Sequence, residues 1–148
     1  MAQITEHFSL EEMTVNSFGL PNIPNVTQLK NLLFLCSNLE KIRAHFGKPI
    51  TINSGFRNPA VNAKVGGAKT SQHLEGIAAD IECKGVSNKE LWEYIVYNMP
   101  FDQCIAEFHR DSDPSAGWVH YSVKQIGNRS MAMSCIQRGI YEMGYNSL

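Results

Sequence analysis

The sequence predicts an α+β fold. Its helical segments lie mostly ahead of a small group of short strands, and two of those strands are spaced to pair as an antiparallel hairpin. No repeat, low-complexity tract or long charge run divides the 148 residues, so a single domain over 1–148 is expected, with a small, mainly antiparallel sheet packed against helices.

The elements follow in order. Ser9-Leu-Glu-Glu12 has the spacing of a capping box and predicts a short helix. Gly19-Leu-Pro-Asn-Ile-Pro24 reads as irregular chain, because each proline biases the residue before it away from the helical region. The strongest helix runs from Val26 to Phe46, with Asn25 as cap and Gly47 as stop. Along it Leu29, Leu32, Leu33, Leu35, Cys36, Leu39, Ile42 and Phe46 recur at spacings of three and four, the pattern of a core face. Pro49-Ile-Thr-Ile-Asn53 is a short strand bounded by turn formers. Residues 55–71 are rich in Gly, Asn, Pro and Lys with no clear period, and so long a loop in a compact domain is often functional. Residues 77–83 read as a second strand. Ser87-Asn-Lys-Glu90 opens a helix through Trp92, Ile95 and Val96 that ends by Pro100. Residues 103–108 and 118–123 are the hairpin strands, joined by the turn-rich stretch 110–117. From Gly127 onward the sequence leaves open whether the chain adds a strand or packs loosely.

A fold of 16.6 kDa buries about 68–70% of the surface its unfolded chain exposes, so neither a disulfide nor a structural metal is needed merely to stay folded. Hydrophobic residues make up 43% and charged residues 18%, which argues against wholesale disorder. A net charge of −1 gives no basic face for nucleic acid. The N-terminal MAQITEHFSLEEM has neither a basic nor an apolar region of the kind a signal peptide requires, and no apolar run approaches the ~20 residues of a membrane span. No membrane insertion is therefore expected, and the chain is expected to act as a monomer in the cytoplasm of the producing cell. Cys36, Cys83, Cys104 and Cys135 are widely spaced with no CxxC pair, and free, mostly buried thiols are expected.

The chemistry is concentrated in Ser71-Gln-His73-Leu-Glu-Gly76-Ile-Ala-Ala-Asp80 and in Trp118-Val-His120. A bend at Gly76 would let His73, on the loop, and Asp80, on the strand, address one point, with His120 arriving from a neighbouring strand. Two imidazoles and one carboxylate form a three-ligand set with a fourth position open, the catalytic rather than the structural arrangement for zinc. Spacing alone leaves two other readings open. The three residues could be ordinary polar side chains, or the set could hold ferrous iron, although that signature usually has His and Asp two positions apart on one strand rather than seven.

The stretch SGFRNPAVNAKVGGAKTSQHLEGIAADI resembles the signature of zinc D-Ala-D-Ala carboxypeptidases and related murein peptidases with the hedgehog/DD-peptidase fold. The S-x-H-x-x-G-x-A-x-D core stands as Ser71, His73, Gly76, Ala78 and Asp80, and the closing W-V-H as Trp118, Val119 and His120. Phe101-Asp-Gln-Cys-Ile-Ala-Glu107 resembles the family's preceding strand, and the opening HFSLEEMT is similar to the short, often phage-encoded members. The likeness runs from about His7 to Val123.

The resemblance implies one zinc ion held by His73, Asp80 and His120, and Glu107 as the base that takes a proton from the attacking water and passes it to the leaving amine. In some relatives that acid stands three residues before the last histidine. Gly117 occupies the position here, leaving Glu107 ahead of Asp102 and Asp113. The resemblance further implies that Arg57 pairs with a substrate carboxylate, with Ser71 and Gln72 as additional substrate-binding donors. His109 is expected at the rim of the pocket, His7 and His45 in solvent, and Gly66 and Gly67 in a backbone-shaping role. The other nitrogen of His73 is expected to donate to Glu75 or to a backbone oxygen. The implied substrate is the peptidoglycan stem peptide, cut at the terminal D-Ala-D-Ala bond or, as alternatives, at an L-Ala-D-Glu bond or not at all, in a zinc-stabilised binding module. Release by a holin or carriage on a phage virion would give such an enzyme access to the wall.

Overall fold

The computed structural model of the chain describes residues 2–148. Two helices open it, one short and one long. Ser9 caps α1 (Leu10–Thr14) through the reciprocal box with Glu12, and Asn25 caps α2 (Val26–Phe46) through a second box with Gln28. Gly47 ends α2 in a left-handed conformation, as its position in the sequence predicts.

Six strands form one sheet: β1 (Ile50–Ser54), β2 (Ala78–Cys83), β3 (Gln103–Glu107), β4 (Trp118–Ser122), β5 (Met131–Gln137) and β6 (Ile140–Met143). Their order is β1-β2-β4-β3-β5-β6, and every neighbouring pair is antiparallel except β3 and β5, which run parallel. The predicted hairpin is β3–β4, with Ile105 opposite His120 and Glu107 opposite Trp118. Two helices complete the set, α3 (Pro59–Val65) and α4 (Asn88–Asn98), the latter capped by Ser87 as expected. The α+β class predicted from the sequence describes this architecture.

Alternation along the strands divides the sheet into two faces. Ala79, Ile81, Cys104, Ala106, Val119 and Tyr121 are buried in one apolar core with Leu32, Leu35, Leu39 and Ile42 of α2 and Leu91, Trp92 and Ile95 of α4. The opposite positions, Ser54, Asp80, His120, Ile105 and Glu107, fall together on the other face through the registers Ser54↔Asp80, Asp80↔His120 and Ile105↔His120.

Several expectations need correction. Leu29 and Leu33 are exposed rather than part of the core face of α2, because the buried stripe runs through Leu32, Leu35, Leu39 and Ile42 and leaves them on its flank. The stretch 55–71 is not loop throughout, since it contains α3, capped by Asn58 with a proline in the first turn. The undecided region after Gly127 supplies β5 and β6. All four cysteines are buried and free, as expected. Among the described residues no helix is long and apolar enough to cross a membrane.

Candidate active site

His73 sits in a single turn of 3₁₀ helix (Gln72–Glu75) that Ser71 caps, its Oγ accepting from the His73 N–H at 3.2 Å. The turn ends at Gly76, whose φ of +77° is readily adopted only by glycine, and a Cβ there would lie 2.8 Å from the Gln28 carbonyl oxygen. That bend feeds the chain into β2, where Asp80 faces His120 across the β2–β4 ladder. His73, Asp80 and His120 are all buried, and their ligand atoms lie within 4.8 Å of one another.

The inner atoms are identifiable. Asp80 Oδ1 stands 3.4 Å from His73 Nε2 and 3.1 Å from His120 Nδ1. The outer nitrogens face acceptors: His73 Nδ1 meets the Gly55 carbonyl oxygen at 2.7 Å, and His120 Nε2 meets Gln72 Oε1 at 3.2 Å. The His73 support is thus the backbone oxygen of Gly55, while Glu75 is exposed.

A neutral imidazole has one N–H. If each ring gives it to its outer acceptor, two nitrogen lone pairs and a carboxylate oxygen point at one another, an arrangement that a cation satisfies. Two ligand atoms at about 2.0–2.1 Å from zinc and at a tetrahedral angle stand about 3.4 Å apart, close to the separations present. The residues therefore fit a zinc ion in both geometry and donor chemistry. Burial by itself would raise the Asp80 carboxyl, but the neighbouring His73 and the hydrogen bond with His120 outweigh it and hold the group well below its ordinary value.

Around this cluster opens a cleft of about 850 Å³. Arg57, Ser71, Gln72, Glu107 and Trp118 line it, so every site residue expected from the sequence reaches one place. Arg57 is held by Ser54 Oγ at 2.9 Å, by Asn62 Oδ1 at 3.4 Å and by Asp80 Oδ2 at 3.4 Å. Gly67 allows this, since a Cβ there would lie 2.1 Å from Asn62 Oδ1. Glu107 has its carboxyl pushed up, first by burial and then by the charge of Asp80, the direction that favours holding a proton. Trp118 Nε1 is buried, and no acceptor among the described residues meets it in full hydrogen-bond geometry.

Residues 6–120 match the Peptidase M15 family. The chain belongs to that family. A stretch of 56 residues is also 45% identical to the zinc D-Ala-D-Ala carboxypeptidase of Streptomyces albus G, covering 37% of this chain and 22% of that protein. Membership of the Peptidase M15 family supports the zinc metallopeptidase class that the signature implied.

The structure separates the alternative acids from the cleft. Asp113 is exposed and accepts from Ser115, and Asp102 is fully buried beneath Arg129, which donates from Nη2 to Asp102 Oδ2 at 2.7 Å. A side chain at position 117 is barred outright: Gly117 has φ +72°, and a Cβ there would lie 1.9 Å from the Glu107 carbonyl oxygen. His109 is not a rim residue. It is buried, with Nε2 2.8 Å from the Trp118 carbonyl oxygen and Nδ1 3.0 Å from the Tyr145 hydroxyl, and burial lowers its pKa. His7 and His45 are exposed, as expected, although His7 pairs with Glu40 and His45 stacks on Tyr94.

The sequence reading missed the cleft wall from β5 and β6. Met133, Cys135, Arg138 and Tyr141 line it, and Arg138 reaches across to the Gly66 carbonyl oxygen at 3.2 Å. No short motif marks these residues, because the parallel β3–β5 pairing that brings them to the site is visible only in three dimensions.

Proposed function

We propose that the chain is a zinc-dependent D-Ala-D-Ala carboxypeptidase acting on peptidoglycan stem peptides. One observation above all supports this reading: the His73–Asp80–His120 cluster, Glu107 and Arg57 line the same cleft. A carboxypeptidase needs a metal site, a proton carrier and a cation for the terminal carboxylate within the length of one residue.

When bound, zinc supplies Lewis acidity and lowers the pKa of water toward neutrality. Arg57 offers its guanidinium to the terminal carboxylate, and its bonds to Ser54 and Asn62 fix it before substrate arrives. Glu107 accepts a proton from the attacking water and returns it to the leaving amine nitrogen, a double duty suited to a carboxyl whose pKa is raised. Trp118, opposite Glu107 in the β3–β4 ladder, offers its buried Nε1 as a donor toward a substrate oxygen.

The test measures metal content by mass spectrometry alongside hydrolysis of purified peptidoglycan and a synthetic stem pentapeptide, with chelator and zinc-restored controls. Chelator-sensitive release of D-Ala is the expected result. New D-Glu N-termini would reassign the bond to L-Ala-D-Glu, and zinc without hydrolysis would make the chain a binding module.

A further inference from the structure

We propose that Asp102 and Gln72 form a positioning relay that fixes which nitrogen of His120 faces the metal. The relay rests on the zinc reading above and assigns a task to two residues that touch neither metal nor substrate in it.

The argument begins at the buried end. Asp102 is fully buried, and its ionised carboxylate can only accept. Arg129 clamps it from three directions: the backbone N–H to Oδ1 at 2.9 Å, Nε to Oδ1 at 3.1 Å and Nη2 to Oδ2 at 2.7 Å, with Lys124 Nζ 3.7 Å from Oδ1. Held in this orientation, Oδ2 also accepts from Gln72 Nε2 at 2.7 Å. The opposite orientation of the Gln72 amide would set its oxygen against the carboxylate, acceptor to acceptor. Asp102 therefore dictates that Gln72 turns Oε1, not its NH₂ group, toward His120.

That oxygen lies 3.2 Å from His120 Nε2. An acceptor there requires a proton on Nε2, and a neutral imidazole with that proton carries its lone pair on Nδ1. Nδ1 is the nitrogen beside Asp80 Oδ1 at 3.1 Å, where the metal ligands converge. For His73 a backbone oxygen does the same work directly. The second histidine instead depends on side chains, and Arg129 lies beyond the stretch that matches the family. Gln72 thus has both ends of its amide committed to protein, which accounts for it better than the substrate-binding role the resemblance implies.

The test uses the full chain loaded with zinc and a Gln72→Met variant, which keeps side-chain length and removes both hydrogen bonds. Removing an outer support of a ligand costs about 10–100-fold in metal affinity, so chelator competition should read a loss of that size in Q72M. Nitrogen-15 NMR of the wild type should show a His120 Nε2 proton in slow exchange, with a cross-peak to the Gln72 side chain, and Q72M should lose its protection. An unchanged zinc affinity in a folded Q72M, or a wild-type His120 proton on Nδ1, overturns the relay. The wild-type spectrum decides alone if Q72M fails to fold. A wild type that takes up no zinc defeats the zinc reading itself, whereas equal zinc binding by both proteins defeats only the relay.

Discussion

The two faces of the central sheet are built from the same strands and solve opposite problems. On the core face, Ala79, Ile81, Val119 and Tyr121 are buried among apolar neighbours, and stability there comes from area removed from water. On the cleft face, one residue along, Asp80 and His120 are also buried, but their polar atoms must each find a partner. Outer acceptors satisfy one nitrogen of each histidine and leave the inner atoms facing one another. Burial of similar depth therefore yields cohesion on one face and converging polar ligand atoms on the other. A one-residue shift in register would exchange them, which is why strand pairing and chemistry are inseparable in this fold.

The sharpest way to separate the faces is to remove an inner atom. His120→Ala should abolish zinc uptake and reduce hydrolysis to background together, measured by metal content and stem-peptide turnover, and retained zinc would take His120 out of the site. Glu107→Gln should leave zinc content unchanged and cost about 10²–10⁴-fold in kcat, the range for a general base. Near-normal turnover would move the proton to another group. On the core face, Ile81→Ala should destabilise the chain by about 2–5 kcal/mol through lost transfer energy and a cavity. Thermal unfolding reads this, and the protein that remains folded should bind zinc normally.

The smallest effect lies between the faces. Hydrogen bonds from the Arg129 side chain, opposed in part by burial, hold the Asp102 carboxyl well below its ordinary value. A depressed carboxylate adds stability that is complete above the unfolded value of about 3.9 and is lost as pH falls through the lower folded value. Unfolding midpoints should therefore drop below about pH 4 in the wild type, with a shallower decline in Asp102→Asn. Equal declines would remove Asp102 as a contributor.

Much of this was legible in the sequence because the determinants are local. The caps at Ser9, Asn25 and Ser87, the stop at Gly47 and the bend at Gly76 each depend on a few adjacent residues. The cluster of His73, Asp80 and His120 was legible through its likeness to the family signature, spacing alone leaving other readings open, and only the β2–β4 register shows which atoms meet. Helix α3 carried its signals, Asn58, a first-turn proline and Gly66, but seven residues give too short an apolar period to stand out. His109 was misjudged because its partner Tyr145 lies 36 residues away, and the contact of Gln72 with Asp102, 30 residues away, was hidden for the same reason. No local pattern encodes such a pair.

The parallel seam between β3 and β5 also sets a timetable. Arg129, which clamps Asp102, and Tyr145, which satisfies His109, are both made after His120. At about 5–20 residues per second, the ribosome needs roughly one to five seconds to pass from His120 to Tyr145. At the start of that interval a nascent chain already holds His73, Asp80, Glu107 and His120, yet β5 has still to be made to cover the edge of β3, and Lys124 and Arg129 have still to be made beside Asp102. The cleft is therefore made in two instalments, and the wall that β5 and β6 supply is its last part to leave the ribosome.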